Sequence, residues 1–320
     1  MRATAFGLVF LAIVAAAAVA APYSVSYYQT EVLILFLINL ILVCSYRILT
    51  TTGDWSLSHV VMMGVGAYTT AILSKYLELS ILLTVPLSAV VAGLVGLVMV
   101  TPLIRTRGFG FFIASFALGE FVRLIWVKFR DPFGGPRGMI GIPNGEIGSI
   151  DFFMPVPYYF FVLIIAALCL SVMYRLDRSR IGKTFKAVYA DEDLAESVGI
   201  DVPRYRALAF VTGTFFAGVA GSLLAHRLGA VDPKNFDINV MVYLIIWIVV
   251  GGSATFWGPI LGLAVMTVVF EVTRPLLEWR PLLFGIILIL FLVFMPGGLE
   301  SLFTGLRERL VRRRGSEGEG

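Results

Sequence analysis

A chain of 320 residues that is 58% hydrophobic and 14% charged, with a mean hydropathy of +0.90, is a polytopic membrane protein. Its longest polar stretches, 129–157 and 175–206, are too short to bury a core, which excludes a soluble domain of useful size. The net charge of +4 comes from short basic loops and an Arg-rich tail, the bias of cytoplasmic loops and not a nucleic-acid footprint, while Cys44 and Cys169 lie in apolar runs where neither a disulfide framework nor a metal site is expected.

The first segment, Thr4 to Ala21, follows Arg2 and ends Ala-Val-Ala-Ala-Pro. It reads either as a first span or as a cleaved signal peptide; its apolar run is slightly longer than a signal core, which favours the retained helix. Either way Tyr23 to Glu31 lies outside. Val32 to Leu49 is the next span, closed on the inside by Arg47. After Gly53-Asp54-Trp55-Ser56-Leu57-Ser58-His59 comes a glycine-rich stretch, Val60 to Leu73, centred on Gly64, Gly66 and Ala67. It is barely long enough to cross and is expected to be broken or re-entrant. His59, at a helix start beside Asp54 and Ser56, reads first as a capping or packing residue and only second as a ligand.

Leu82 to Leu103 spans inward to a tight turn, Arg105-Thr106-Arg107-Gly108. Gly110 to Lys128 returns outward with Glu120 and Arg123 three residues apart, hence on one helical face. Ionised groups at membrane depth cost roughly 2.5 to 3.5 kcal/mol each, so the two should pair or face protein. They serve either as a structural ion pair or as the lining of a polar path. From Phe129 to Pro157 the chain is outside, and Gly134-Gly135-Pro136-Arg137-Gly138-Met139-Ile140-Gly141-Ile142-Pro143 forbids a regular helix. That loop either docks a partner or merely turns the chain. Tyr158 to Tyr174 leads back in.

The segment Arg175 to Arg206 carries Arg175, Arg178, Arg180, Lys183, Lys186, Arg204 and Arg206 between apolar runs, which places it in the cytoplasm. Within it Ala187, Ala190, Leu194 and Val198 recur at helical spacing, with Glu192, Asp193 and Glu196 on other faces. The pattern predicts one short amphipathic helix over 186–198, stopped at Gly199, with Pro203 in the first turn of the next. It is either a solvated connector or a docking helix for a soluble partner. Spans over Ala207 to His226, Ile238 to Gly252, Ala254 to Thr273 and Leu282 to Met295 follow, with small-residue contacts expected at Gly213, Gly218, Gly221, Gly258 and Gly262. Four crossings bring the arginine tail (Arg307, Arg309, Arg312, Arg313, Arg314) to the cytoplasm, where anionic lipid is its expected partner. The reading is an all-α protein of about ten transmembrane helices, a permease region over 1–306 and a basic tail over 307–320.

Gly182-Lys183-Thr184 resembles the end of a phosphate loop, but Asp177 stands where that motif needs glycine and no strand precedes it. His59 and His226 fall toward opposite membrane faces, which excludes a two-His metal site. No nucleophile elbow, paired carboxylates or dense relay of buried acids is recognisable, so neither an enzyme nor a proton-driven carrier is expected.

The chain resembles the permease subunits of bacterial and archaeal ABC importers for branched-chain amino acids, of the LivM type. The matching stretches are Gly53 to Tyr68, Phe116 to Leu124, Gly134 to Pro143, Ile181 to Tyr205, Gly251 to Gly262 and Met295-Pro296-Gly297-Gly298-Leu299, in family order over nearly the full length. The resemblance implies the larger importer-type permease fold in a prokaryotic inner membrane with a cytoplasmic C-terminus. It also implies a second permease, two ATPase subunits that bind ATP and magnesium, and an extracytoplasmic amino-acid-binding protein; the chain itself needs no cofactor. The family's coupling motif, Glu-Ala-Ala, three residues, Gly, is loosened here to Asp193-Leu194-Ala195, three residues, Gly199. On that basis Lys186, Ala187, Ala190, Asp193, Leu194, Ala195, Val198 and Gly199 are expected to couple to the ATPases. Ser56, His59, Gly64, Gly66, Tyr68, Glu120 and Arg123 are expected near the path, and Gly134, Gly135, Pro136, Arg137 and Gly138 form a candidate external docking loop. Trp55 stands where the family has a small aliphatic residue and Ser58 where it has glycine. These departures leave urea or short amides as an alternative cargo, and a stand-alone secondary transporter as the rival class.

Overall fold

The computed structural model describes residues 19–147, 150–295 and 297–301. The first hydrophobic segment, Thr4 to Ala21, lies for its greater part outside the described residues, and the tail 307–320 lies wholly outside them. In chain order the helices are α1 (Tyr27–Thr50), α2 (His59–Tyr76), α3 (Ile81–Leu103), α4 (Phe109–Lys128), α5 (Pro155–Arg178), α6 (Arg180–Ala190), α7 (Glu192–Ser197), α8 (Val202–Leu228), α9 (Ile238–Gly251), α10 (Gly258–Val272) and α11 (Arg280–Phe294). Four two-residue strands lie in the α4–α5 and α8–α9 connections: β1 (Met139–Ile140), β2 (Glu146–Ile147), β3 (Ile150–Asp151) and β4 (Ala230–Val231).

Six described helices are long and apolar enough to cross a membrane: α1, α3, α4, α5, α8, and α9 taken with the turn before it as Pro233–Gly251. The ends differ from expectation where capping residues act. Ser26 and Gln29 cap each other reciprocally and start α1 at Tyr27, five residues ahead of the apolar run. Asp201 accepts from the backbone of Arg204 at 3.2 Å and starts α8 at Val202, which draws Arg206 out of the loop and into the helix.

The glycine-rich stretch is neither broken nor re-entrant. It forms one continuous helix of 18 residues, α2, largely buried against α3, α4 and α8. Its glycines are contact points: a Cβ on Gly66 would collide with the backbone of Gly218, and one on Gly64 with Trp126 and Phe236. The approach is reciprocal, because Gly221 of α8 sits against the Met63 carbonyl of α2, while Gly218 also meets Ala92 of α3. Close backbone contact through small residues is how helices gain packing in lipid, where no hydrophobic drive separates helix from tail. Hydroxyls fill what remains. Thr70 Oγ1 lies 2.7 Å from Ser88 Oγ and 2.6 Å from Ser222 Oγ, joining α2, α3 and α8 in a fully buried triad.

Around α8 therefore stands a body of α1, α2 and α3, with α5 packed on α1. A second apolar cluster, built on Ile246, Val250, Met266 and Phe284, holds α9, α10 and α11 together. Here the expected span from Ala254 begins only at Gly258, since 252–257 is a loop. The Gly258 and Gly262 step does what its spacing predicts: both approach the backbone of Gly251 and its neighbours more closely than a Cβ allows.

Candidate functional site: the α6–α7 end of the bundle and the charges of α4

The segment expected as one helix over 186–198 is two. Asp191 is extended at φ −162 and ψ 109, and its Oδ1 accepts from the backbone N of Leu194 at 2.9 Å. It therefore ends α6 and caps α7. Ser179 caps α6 in the same way, accepting from Gly182 N at 3.3 Å. A Cβ on Gly182 would collide with the carbonyls of Leu176 and Asp177, so α6 folds hard back on the last turn of α5. Gly199, at φ +85, closes α7 in the left-handed region where glycine is unstrained.

These breaks divide the predicted coupling residues between two sides. Lys186, Ala187 and Ala190 on α6, Asp193 and Leu194 on α7, and Val198 and Gly199 after it are all exposed. Leu194 is 62% and Val198 70% exposed, as is Tyr189 of α6 at 65%, so three large apolar side chains of this segment face outward. Ala195, expected on that face, is instead buried with Val188, Val202 and Ile200 beneath the two helices.

Beneath this surface lies a layer of ion pairs between distant parts of the chain. Lys186 Nζ is 3.1 Å from Asp177, whose Oδ1 accepts from Arg47 Nη1 at 2.9 Å. Arg47 is only 2% exposed, and its remaining donors reach the carbonyls of Ser253 at 3.2 Å and Ala254 at 3.3 Å. The same loop is held from its other side by Glu300, whose carboxylate accepts from Ala254 N at 2.7 Å, Thr255 N at 2.8 Å and Thr255 Oγ1 at 2.5 Å. On the opposite flank Arg206 makes a bidentate pair with Asp54, at 2.7 and 2.5 Å, and donates to the Thr106 carbonyl at 3.1 Å. Their side chains are 3% and 5% exposed. Arg107 reaches from the α3–α4 turn to Glu192 and Glu196 of α7 at 3.2 and 3.3 Å, on the surface.

The residues expected near a path separate just as clearly. Ser56, His59, Gly64, Gly66 and Tyr68 are all buried within this one chain. Ser56 Oγ shares a hydrogen bond with Ser58 Oγ at 2.8 Å, and Tyr68 stacks on Trp126 with ring centroids 4.5 Å apart. His59 does not pair with Asp54; its Nε2 lies 2.9 Å from Ser45 Oγ on α1, so the packing reading is the one its surroundings support. Glu120 and Arg123 differ. They form an ion pair, with Arg123 Nε donating to Glu120 Oε2 at 2.8 Å and a second bond from Nη2 to Oε1. Both are partly exposed, on the least buried of the long helices. The exposed face around them carries Ile113, Phe116, Phe121 and Leu124.

At the other end of the helices, the Gly-Pro loop is shaped and tied down. Gly135–Arg137 makes one 3-10 turn with Pro136 and Arg137 exposed, Gly134 and Gly138 flank it at positive φ, and β1 pairs antiparallel with β4. His226 anchors the adjoining strand of chain: its Nδ1 donates to the Pro143 carbonyl and its Nε2 accepts from Thr84, both at 2.8 Å. His59 and His226 sit in separate environments, and no group of metal-ligating side chains occurs among the described residues.

Single-sequence reasoning missed Arg47–Asp177, Asp54–Arg206 and Glu300. A lone charge at a span end shows that a partner is needed but not where it is. The break at Asp191 had a signal, because Asp191-Glu192-Asp193 is an N-cap followed by an acidic first turn.

Residues 28–295 match the model of a family described as branched-chain amino acid transport system / permease component. The chain is 28% identical over 314 residues to the high-affinity branched-chain amino acid transport system permease protein LivM of Escherichia coli strain K12, covering 91% of this chain and 74% of that one. The LivM protein of Salmonella typhimurium strain LT2 matches to the same extent. The permease protein LivH of the same transport system in E. coli is 30% identical over 141 residues, 43% of this chain and 44% of its own. No solved structure matches.

Proposed function

The chain belongs to the family of branched-chain amino acid transport permease components, and from that premise we propose that it forms half of the membrane pathway of an ATP-driven importer for branched-chain or other hydrophobic amino acids. The observation that carries this reading is the match itself, which begins in α1 and ends just past α11. A permease of this kind has no ATP site of its own. Its partners in this reading are a second permease of similar fold, two ATP-binding subunits on the cytoplasmic side and an amino-acid-binding protein outside.

In this mechanism the exposed side chains of Tyr189, Leu194 and Val198 seat in a groove of the ATPase, as apolar helix faces do. Closure of the ATPase pair displaces α6 and α7, and the packed spans re-tilt so that a central cavity opens to one side and then the other. Glu120 and Arg123 are the polar groups that such a cavity meets, since they alone of the expected path residues reach the surface of this chain. The exposed Pro136 and Arg137 form part of the outer docking face. Selectivity then rests mostly with the binding protein.

The test is uptake of labelled leucine into vesicles holding this chain, its partner permease, the ATPases and the binding protein, with amino acids and urea as competitors. ATP-dependent uptake competed by aliphatic amino acids is the expected result. Turnover without leucine uptake would move the cargo to another class, and uptake that persists without the ATPases would overturn the importer reading.

A further inference from the structure

Two of the features above meet at one side chain. The glycine contacts at Gly251, Gly252, Gly258 and Gly298 form a joint between α9 and α10, where Gly298 packs directly on the backbone of Gly252. Gly252 lies at φ +95, and Leu299 N ties the following segment to the Val250 carbonyl at 2.8 Å. The helices that leave this joint are short, 14 and 15 residues, and with α11 they share an apolar cluster of their own.

The buried guanidinium of Arg47 holds this joint to α6. Its Nε and Nη2 donate to the carbonyls of the 253–254 loop, and its Nη1 donates to Asp177, which also takes Lys186 of α6. Phe256 packs beside it, and a crevice of only about 10 Å³ is left between Arg47, Asp177, Gly182, Phe185 and Phe256. Because α6 is folded tightly onto the end of α5 at Gly182, a shift of α6 carries Asp177 with it. A planar fork bound to a carboxylate on one edge and to two carbonyls on the other passes such a shift on with little slack, as an ammonium could not. The cytoplasmic helices are attached elsewhere too, but Val188, Ala195 and Phe185 pack on Val202 and Tyr205 of α8 and not on the α9–α10 joint, and the pairs from Arg107 to Glu192 and Glu196 are solvent-exposed and correspondingly weak.

We propose that Arg47 is the positioning residue that transmits displacement of α6 to the α9–α10 joint. This rests on the coupling reading above, and the experiment separates the two. In the reconstituted complex, spin labels at Lys183→Cys on α6 and at Val268→Cys on α10 are each measured against Val98→Cys on α3, all three sites being exposed. In the otherwise native protein both distances change when the ATPases are trapped closed. With Arg47→Gln the α6 distance still changes and the α10 distance does not, and uptake per ATP hydrolysed falls about tenfold, within the usual range of coupling between sites. Arg47→Lys recovers part of the loss, because it keeps the pair with Asp177 but not the fork. Asp177→Asn cuts the same link from the other end and supplies the measurement if Arg47→Gln does not assemble.

An α10 distance that still responds in Arg47→Gln overturns the inference, as does a loss of uptake matched by an equal loss of hydrolysis. An α6 distance that never responds in the native protein refutes the coupling reading, and the inference falls with it.

Discussion

Replacing Asp54 by leucine leaves the Arg206 guanidinium in a site that is 97% closed to solvent, since its side chain is 3% exposed, with the Thr106 carbonyl and the Phe111 ring as its remaining partners. Removing one member of a buried pair strands the other, at about 3 to 5 kcal/mol. For a chain of this length that corresponds to a fall in melting temperature on the order of 5 °C, readable as the loss of monodisperse protein in detergent on heating. Arg206→Met alone strands the carboxylate and is expected to do similar damage. The double variant Asp54→Leu with Arg206→Met removes both charges at similar volume, and most of the loss should return. The coupling between the sites, not the single effects, carries the argument. If the double variant is as unstable as the sum of the two singles, the pair is not the source of stability and the reasoning fails.

Leu194→Arg, at an exposed site, should leave the purified permease as stable as before while abolishing its co-purification with the ATPases; retained association and uptake would remove the coupling assignment. Ala195→Arg differs because that site is buried, and it should lower stability by about 2 to 4 kcal/mol through an unpaired buried charge, seen as poor recovery of folded protein even without partners. Gly218→Leu drives a side chain into Ala92 and Ser88 and should destabilise by about 1 to 3 kcal/mol or more, measured by the same heating assay. Glu120→Ala should depress uptake more than stability, and exchanging the two charges, Glu120→Arg with Arg123→Glu, should restore stability but not uptake if the pair faces a path; full restoration of uptake would make it purely structural.

Much of the helical architecture was legible because hydropathy acts locally. The span from Pro155 to Arg178 and those after it start and stop within a few residues of expectation, except where caps extend a helix, as Ser26 and Asp201 do, or where a side chain from elsewhere holds a loop open, as Glu300 does at 252–257. The glycines of α2 misled for a physical reason. Alone they predict a weak, broken helix, and only the facing Gly218 and Gly221, on a helix 150 residues later, turn them into contacts. Arg47 and Asp177 stand 130 positions apart and Asp54 and Arg206 stand 152; no local pattern joins such pairs. The outward face at Leu194 was visible as periodicity, but the division of the segment at Asp191 turns Ala195 inward.

The burial of α2 has a consequence for how the protein is made. Its side chains include His59, Ser74 and Lys75 among glycines, and it is the one described helix of 18 or more residues that is not apolar enough to cross a membrane on that criterion. As it leaves the ribosome it partitions poorly into lipid alone, because nothing yet covers its hydroxyls and glycine backbone. The surface that covers them belongs largely to α8, synthesised more than a hundred residues later. We therefore expect insertion to be non-sequential, with α2 held at the insertion machinery until α8 arrives. Nascent chains arrested before residue 202 should remain crosslinked to that machinery through α2, and those arrested well beyond residue 228 should be released.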